Sequence, residues 1–423
     1  MGEGSSKTAQ NTRADTIQAG NTLLLRLPSG DIKTWKLEKD SAANLGKFGS
    51  FHANELVGQQ FGLTYEIADK KLKVVSSRTL QEVEDTEATN ELINDGQFVQ
   101  PLTAEEIETL KKSGVHASEI IKKQIAQHAN YGLKTEYSKE KYKKRKEAKF
   151  SKSFTVIDPT VFNVCDYWFN KDQNRVRDVR PDALGQMLNI ANITHGGRYL
   201  AVDDASGIVV AGILERLGGK GRLITICDVD SPPAYPAMVH MNFTREVTQV
   251  LSSLNWATVD EEYTPIVPPS EPPSKAKSDA QKTRLNKRKA VNDTLNRTRE
   301  ELFAGEFDGL VVASEYDPSS ILEKLSPYLA GSANIVVHSP YVQIVTDLQN
   351  QLRDLPQYLG PAVTEMWLRR YQVLPGRTHP LMNMSGSGGF ILHTIKMYNT
   401  WLQFGVHTHS RLGPDTTTRR LSP

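Results

Sequence analysis

The sequence GGRYLAVDDASGIVVAGILERLGGKGRLITICD, residues Gly196–Asp228, has the alternation of a βαβ unit. Arg198–Val202 is an apolar run of strand length, and Ile208–Leu217 is an apolar segment of helix length. The glycines of Gly218–Gly221 then turn the chain into a second apolar run, Arg222–Cys227. This pattern predicts two parallel strands joined by a helix, and therefore an α/β fold.

The loop after the first strand lacks the glycines that a nucleotide-binding βαβ unit needs. Such a loop is rich in glycine because the backbone must approach the ligand closely. Here the loop is Asp203–Gly207 (DDASG), with two carboxylates and a single glycine. Asp203 and Asp204 could bind a cofactor or could cap the end of the strand, and the missing glycines favour the cap. The chain therefore has an enzyme-like scaffold without an evident cofactor site.

Composition and turn signals divide the chain into segments with different predicted structures. They are a disordered tail (1–20), a small β-barrel-like domain (21–100), a helical basic connector (101–153), a Rossmann-like domain (154–400) that contains a disordered insertion rich in Pro, Lys and Arg (262–299), and a flexible tail (401–423). In the connector, Thr103–Glu106 has the pattern of a capping box, which predicts the start of a helix.

The end of the Rossmann-like domain departs from simple βα alternation. A helix is predicted near Arg245–Leu254, within the alternating part of the domain. Two late strand-like runs, Val363–Leu374 and Gly389–Met397, flank Pro375–Gly388 and predict an antiparallel pair that closes the sheet. A parallel sheet that ends in such a pair is the layout of S-adenosylmethionine-dependent methyltransferases.

Several classes of site and partner are disfavoured. The chain has no G-x-S-x-G, P-loop, H-E-x-x-H or paired C-x-x-C motif. His407 and His409, with His393, lack partners at ligand spacing, so we expect no metal site. Cys165 and Cys227 lie in apolar runs, which indicates buried thiols in a reducing compartment. No run is long and apolar enough for a bilayer, so no membrane partner is expected.

The formal net charge is only +2, so affinity for nucleic acid must come from local clusters of basic residues. The strongest cluster is Lys134–Lys152, KTEYSKEKYKKRKEAKFSK, in which aromatic residues are interleaved with cations. Phosphate binding is one interpretation, and a solvated helix or a localisation signal is the other; spacing alone favours neither. A second run, Lys275–Arg299, is interpreted as a flexible tether with auxiliary phosphate affinity.

Arginines also lie at the ends of the late strand pair. Arg369–Tyr371 and Arg377–Pro380 lie near the glycine-rich segment Ser385–Gly389. Guanidinium and backbone N–H groups there could bind phosphate, but Pro and Gly more commonly only shape a turn.

Four blocks of the sequence together resemble one known family. They are GKFGSFHANELVGQQFGLTYEI (46–67), KTEYSKEKYKKRKEAKF (134–150), GGRYLAVDDASGIVVAGILERLGGKG (196–221) and YQVLPGRTHPLMNMSGSGGFIL (371–392). The chain is similar to the non-catalytic RNA-binding subunits of the eukaryotic tRNA (adenine-N1)-methyltransferase over about residues 17–400. All four blocks occur in the family's order, and this conjunction is what makes the resemblance specific.

The resemblance implies an N-terminal β-barrel domain followed by a methyltransferase-like Rossmann domain with a degenerate cofactor loop. It implies no catalytic, cofactor-binding or metal-binding residues in this chain, with S-adenosylmethionine on the partner subunit only. It further implies a dimer of heterodimers with a homologous catalytic subunit, which methylates an adenosine of the tRNA T-loop in the nucleus. The expected tRNA-binding residues are Lys134, Lys141, Lys143, Lys144, Arg145, Lys146, Arg377 and His379.

Two other functions are compatible with the sequence. One is an active S-adenosylmethionine-dependent RNA methyltransferase with an unusual cofactor site, against which the missing glycines argue. The other is a translation-related RNA-binding module that acts without a methyltransferase partner.

Overall fold

The computed structural model describes residues 14–75, 103–112, 115, 117–127, 131, 134–229, 232–264, 279–374 and 377–397. These residues form an antiparallel N-terminal sheet, a small helical module and a domain built on a mostly parallel sheet. The predicted α/β class with a separate β domain before it is confirmed.

The N-terminal domain has a five-stranded antiparallel sheet in the order β2-β1-β7-β5-β6 and a two-stranded ribbon, β3-β4. The strands are β1 (Thr22–Arg26), β2 (Ile32–Lys36), β3 (Ala42–Asn44), β4 (Ser50–His52), β5 (Thr64–Ala68), β6 (Lys71–Val75) and β7 (Ser153–Val156). Phe51 of the ribbon stacks on Phe154 of the sheet at 4.8 Å between ring centroids. The Tyr65 ring also stacks on Phe154, with 5.7 Å between the ring centroids. Aromatic rings therefore fill the core between the ribbon and the sheet.

Two predicted domain boundaries are wrong. Strand β7 lies between β1 and β5, although the boundary of the Rossmann-like domain was expected at residue 154. Its inward residues Phe154 and Val156 alternate with outward ones, so this strand fits the N-terminal core and not the connector. Ile17 was expected in a disordered tail over 1–20, but its side chain is fully buried in the same core. Residues 1–13 and 76–100 lie outside the described residues.

The connector contains three helices, α1 (Ala104–Lys112), α2 (Ala117–Ala126) and α3 (Glu136–Phe150). A capping box begins α1: the Thr103 N–H donates to the Glu106 carboxylate at 2.9 Å, and the Glu106 N–H donates to the Thr103 hydroxyl at 3.3 Å. Ile107, Ile120 and Ile121 form a small core of their own. The predicted helical connector, with this cap, is therefore present in the described part.

The second domain has a seven-stranded sheet in the order β10-β9-β8-β11-β12-β16-β13. Its strands are β8 (Arg198–Asp203), β9 (Arg222–Cys227), β10 (Leu251–Asn255), β11 (Phe307–Ala313), β12 (Leu329–Ser339), β13 (Tyr358–Trp367) and β16 (Ser387–Lys396). The first five in this order are parallel, while β16 pairs antiparallel with both β12 and β13. The predicted closing antiparallel pair is confirmed, but its first strand is Tyr358–Trp367 and not the predicted run Val363–Leu374. A separate hairpin, β14 (Tyr371–Leu374) and β15 (Arg377–Pro380), lies between its strands.

Helices cover both faces of this sheet, and each face has its own apolar core. They are α4 (Val161–Lys171), α5 (Pro181–Ile190), α6 (Ile208–Leu217), α7 (Pro236–Met241), α8 (Arg245–Thr248), α9 (Asp279–Phe303), α10 (Pro318–Leu325) and α11 (Val342–Arg353). Strands buried on both faces explain why β8 and β9 are almost continuously apolar. Among the described residues, no helix is both long enough and apolar enough to cross a bilayer.

Two further predictions about this domain are wrong. The predicted helix over Arg245–Leu254 ends at Thr248, and the remaining residues form β10, which adds to β9 as a parallel edge strand. The predicted disordered insertion over 262–299 is wrong for 279–299, which belong to α9. Tertiary contacts explain both: Leu254 and Leu302 are buried in the same apolar core. Residues 265–278 lie outside the described part of the chain.

Gly221, in the turn before β9, has a φ of +96° and closely approaches the backbone before β8. A Cβ atom on Gly221 would lie 2.2 Å from the Gly197 carbonyl oxygen. We expect Gly221→Ala to cost about 1–2 kcal/mol for the left-handed backbone and about 1–3 kcal/mol more for the backbone clash. Gly196→Ala is the matched control, because Gly196, in the turn before β8, has a φ of +86° and open space around it. Urea unfolding should show a larger loss for Gly221→Ala; equal losses would contradict the close approach.

Candidate functional site

A cavity of about 340 Å³ lies at the carboxyl ends of β8 and β11, where the strand order reverses. Open α/β sheets bind their ligands at this switch point. The cavity is lined by Asn174, Arg175, Arg177, Asp203, Asp204, Ser206, Pro233, Ala234, Tyr235, Pro236 and Glu315. Its location is that of a cofactor site, but its lining is dominated by charged and bulky side chains.

The Asp203 carboxylate caps the N-terminus of α6 from inside the protein. It accepts hydrogen bonds from the backbone N–H groups of Ala205 at 2.8 Å, Gly207 at 3.2 Å and Val210 at 2.9 Å. Burial raises the pKa of Asp203 to about 6, and the three N–H groups partly oppose that rise. The interpretation of Asp203 as a cap is therefore confirmed.

Asp204 and Arg177 connect the loop to the neighbouring strand. The Asp204 carboxylate accepts from the Ser314 hydroxyl and from the Glu315 N–H at 3.2 Å, which joins the ends of β8 and β11. The Arg177 guanidinium donates to Glu315 at 3.0 Å. Both acidic residues of the loop thus have partners within the protein.

The Tyr235 ring packs directly against the single glycine of the loop. A Cβ atom on Gly207 would lie 2.3 Å from the Tyr235 Cβ and 2.6 Å from its ring. Burial raises the pKa of Tyr235 well above its ordinary value, and the Asp203 carboxylate adds to this rise. A neutral aromatic side chain therefore occupies the space next to Gly207.

Arg180 is a residue that the sequence did not single out. Its guanidinium is only 2% exposed, binds both Asp182 oxygens at 2.6 and 2.8 Å, and donates to the Ser385 carbonyl at 3.0 Å. A Cβ atom on Gly388 would lie 3.0 Å from this guanidinium. The motif Arg180–Asp182 was visible in the sequence, but its partner 205 residues away was not. In the segment Ser385–Gly389, Gly388 therefore makes room for a buried arginine.

Two of the predicted basic residues on and before α3 lie against one aromatic ring. The Lys134 and Lys146 ammonium groups each lie 5.0 Å from the centroid of the Tyr142 ring. Lys143 pairs with Glu140 at 3.5 Å, whereas Lys141 and Arg145 are exposed. The side chain of Lys144 lies outside the described part. Tyr142 thus holds two cations in place, and Lys141 and Arg145 add exposed cations to α3.

Arg377 and His379 lie on a different element, the hairpin β14–β15. Arg377 was expected in a loop, but it is the first residue of β15 and pairs with Leu374 across the turn. Its side chain lies outside the described residues. The His379 Nδ1 forms a 2.6 Å hydrogen bond with the Pro380 carbonyl. The predicted site residues thus belong to two separate elements, α3 and the hairpin.

Within the described residues, no group of three or more His, Cys, Asp or Glu side chains is arranged to hold a metal ion. The His393 Nε2 lies within hydrogen-bond distance, 2.9 Å, of the Asn334 side-chain oxygen. His407 and His409 lie outside the described part of the chain. Cys165 and Cys227 are both buried, as predicted.

Comparison with known proteins agrees with this description. The chain is 30% identical to the "tRNA (adenine(58)-N(1))-methyltransferase non-catalytic subunit TRM6" of Debaryomyces hansenii, over 92% of this chain and 88% of that protein. It is 31% identical to the protein of the same name from Candida glabrata, over 88% of this chain and 91% of that protein. A solved S-adenosylmethionine-dependent O-methyltransferase from Thermotoga maritima shares the fold, with a TM-score of 0.51 at 12% identity over 91% of this chain and 96% of that one. Residues 16–292 match the Gcd10p family, and the chain belongs to that family.

Proposed function

We propose that this chain is the non-catalytic, tRNA-binding subunit of a tRNA (adenine(58)-N(1))-methyltransferase and pairs with a homologous catalytic subunit. The names of its relatives support this function. The observation that carries it is the contrast between a complete methyltransferase-like sheet and a cofactor loop closed by Asp203 and Tyr235. Retaining the scaffold without the cofactor loop suits a protein that holds substrate and partner in place.

The residues at the switch point do not fit S-adenosylmethionine. The Tyr235 ring occupies the space next to Gly207, which a cofactor would need in order to approach the loop backbone. The Asp203 carboxylate already accepts from the N–H groups at the start of α6. We propose that the cofactor binds to the catalytic partner only, and that Asp203–Gly207 is a structural loop.

The stoichiometry of cofactor binding tests this proposal. We expect isothermal titration of the purified complex to give one S-adenosylmethionine per pair of subunits, and titration of the isolated chain to give no binding in the micromolar range. Tyr235→Ala should not create a site, because the Asp203 carboxylate remains. Two cofactors per pair, or micromolar binding to the isolated chain, would instead favour an active methyltransferase.

The basic surface of α3 is suited to the phosphates of a folded RNA. Cations that bind phosphate release condensed counterions, and this release makes affinity depend on salt. Phosphate contacts hold an RNA in position without reading its sequence. A scaffold subunit can use such contacts to orient the RNA at its partner's active site. We propose that Lys134, Lys141, Lys143, Lys144, Arg145 and Lys146 make these contacts.

Lys141 and Arg145 are both exposed and lie one helical turn apart on α3. We expect Lys141→Ala/Arg145→Ala to weaken tRNA binding by the complex and to lower the slope of log K against log salt by about two units, one per contact. Lys122→Ala/Lys123→Ala on α2 removes the same charge from another exposed helix and should change the slope less. Equal effects of the two double variants would indicate that the cations of α3 are only solvated and do not contact tRNA.

An exposed apolar surface lies along β13, the strand at one edge of the seven-stranded sheet. Strand β13 is the edge of the sheet, so one side of its backbone has no strand partner among the described residues. Trp367 at its end is 75% exposed, and Val373 on the neighbouring hairpin is 66% exposed. An edge strand flanked by exposed apolar side chains is typical of an interaction surface. We propose that the catalytic subunit docks here.

We propose that the complex is a dimer of heterodimers, that it modifies the T-loop of tRNA, and that it is located in the nucleus. The family resemblance supports these three proposals.

Arg377 and His379 on the hairpin lie close in sequence to this docking surface. We propose that they bind a tRNA phosphate, since an arginine can grip it with two hydrogen bonds.

Two variants separate docking from RNA binding. We expect Trp367→Ala to weaken assembly with the catalytic subunit at least tenfold, because a large apolar contact is lost. Arg377→Ala should leave assembly intact and lower tRNA methylation by about 10–100-fold, which corresponds to about 1–3 kcal/mol for a hydrogen bond to a charged group. Light scattering reports assembly, and a methyl-transfer assay reports activity.

Phe162→Ala on α4 is the control for Trp367→Ala, because Phe162 is another exposed aromatic side chain and should not affect assembly. If Arg377→Ala dissociates the subunits, Arg377 belongs to the protein interface. If Trp367→Ala assembles normally, the docking surface lies elsewhere.

A further inference from the structure

The last turns of α9 are fixed firmly to the parallel-sheet domain. Leu302 and Thr298 are 0% and 2% exposed. The Arg299 guanidinium donates to the carbonyl oxygens of Thr258 and Asp260, both at 2.8 Å. The Glu301 carboxylate accepts from Arg222 at the start of β9, also at 2.8 Å. These contacts set the direction of the helix relative to the sheet.

The first turns of α9 extend away from these contacts. Between Asp279 and Ala290 every side chain that the structure describes is exposed except Leu285, which is half-buried. Twelve residues of α-helix span about 18 Å at 1.5 Å per residue. We call Asp279–Ala290 the projecting segment. An internal helix that is exposed all round for three turns has a role other than completing the core.

The projecting segment is strongly basic. It contains Lys282, Arg284, Lys287, Arg288 and Lys289 but only one carboxylate, Asp279. Lys282 pairs with Asp279 at 3.6 Å. Within the described part of the chain, the other four cations have no ion-pair partner. Their positive potential therefore remains available to an anionic ligand.

Two of the arginines lie in line with residues that are buried at the C-terminal end of the helix. Arg284, Arg288, Val291, Leu295, Thr298 and Leu302 follow one another at spacings of four, three, four, three and four residues. Such residues lie on one side of an α-helix. The side that is buried at Thr298 and Leu302 is therefore cationic at Arg284 and Arg288, where the helix has left the domain. Lys287 flanks the same side.

We propose that the projecting segment binds the sugar-phosphate backbone of RNA through Arg284, Lys287 and Arg288. This inference rests on the proposed function, which supplies a tRNA as the polyanion. The fixed base of α9 makes the segment a rigid arm and not the flexible tether that the sequence suggested. A guanidinium can bind a phosphate with two parallel hydrogen bonds. The phosphates of an RNA strand follow one another, so cations that recur along one side of a straight helix suit this ligand.

A pair of triple variants with equal charge tests which side of the helix is used. The test triple is Arg284→Ala/Lys287→Ala/Arg288→Ala. The control triple is Lys282→Ala/Lys289→Ala/Arg297→Ala, whose residues are exposed and recur at spacings of seven and eight on the opposite side. Each is made in the full chain, purified with its catalytic partner, and titrated with an unmodified tRNA transcript at several salt concentrations.

We expect the test triple to weaken tRNA binding at least tenfold and to lower the salt slope by about two to three units. The control triple should have less than a third of that effect on affinity. Equal effects of the two triples, or no effect of the test triple, would overturn the proposal. Loss of the catalytic partner with tRNA binding unchanged would also overturn it, because the segment would then bind protein.

A pair of proline variants tests rigidity without changing charge. Ala290→Pro breaks the helix between the projecting segment and the fixed turns, because proline removes a hydrogen bond and clashes with the preceding turn. Ala280→Pro is the control, since the first turn of a helix tolerates proline. We expect Ala290→Pro to weaken tRNA binding about as much as the test triple and Ala280→Pro to leave it unchanged. If the Ala290→Pro variant binds tRNA as well as the unaltered protein, the projecting segment acts as a flexible tether, and the proposal of a rigid arm is wrong.

The failure of this inference is distinguishable from failure of the proposed function. If Lys141→Ala/Arg145→Ala weakens tRNA binding but the test triple does not, the inference is wrong and the proposed function stands. If the unaltered complex does not bind the tRNA transcript, the proposed function is wrong as well.

Discussion

The cap that Asp203 places on α6 is the interaction on which the organisation of the switch point depends. One buried carboxylate at the end of β8 accepts from three backbone N–H groups, and so holds the loop and the first turn of the helix in one arrangement. The N-terminus of a helix attracts anions because its N–H groups are unpaired and its dipole is positive there. In this chain the anion is a side chain of the protein itself, so the loop is complete without a ligand.

The neighbouring side chains also have their contacts within the protein. Tyr235 covers Gly207, and Asp204 binds the end of β11 through Ser314. Next to the start of β16, the buried Arg180 guanidinium binds the Asp182 carboxylate and the backbone carbonyl of Ser385. The parallel-sheet domain is therefore held together at the edge where a methyltransferase would bind its ligands. A rigid domain of this kind can present distant surfaces, such as the exposed edge strand and the fixed base of α9, in a constant geometry.

Cations that differ in their surroundings occur on three elements. On α3, Tyr142 holds Lys146 and the preceding Lys134 against its ring. The cations of α9 extend beyond the domain, and the hairpin carries Arg377 and His379. The low net charge of the whole chain is consistent with this distribution, because local clusters can bind phosphate while acidic residues elsewhere balance the total charge. In the function that we propose, several weak and separated contacts would orient a large folded RNA better than a single strong one, since orientation requires more than one fixed point.

Local patterns in the sequence determined much of the fold. The apolar runs around Gly196–Asp228 predicted β8, α6 and β9, and Thr103 with Glu106 predicted the cap of α1, because periodicity and capping depend on residues close in the chain. The missing glycines also favoured a cap over a cofactor site. Only the tertiary structure decided that β7 completes the N-terminal sheet, that Leu251–Asn255 is an edge strand, and that 279–303 is a helix. It also decided the partners of Arg180 and Tyr235. In each of these cases the stabilising contact joins residues far apart in sequence, and a short polar or mixed segment adopts the structure that its distant neighbours stabilise.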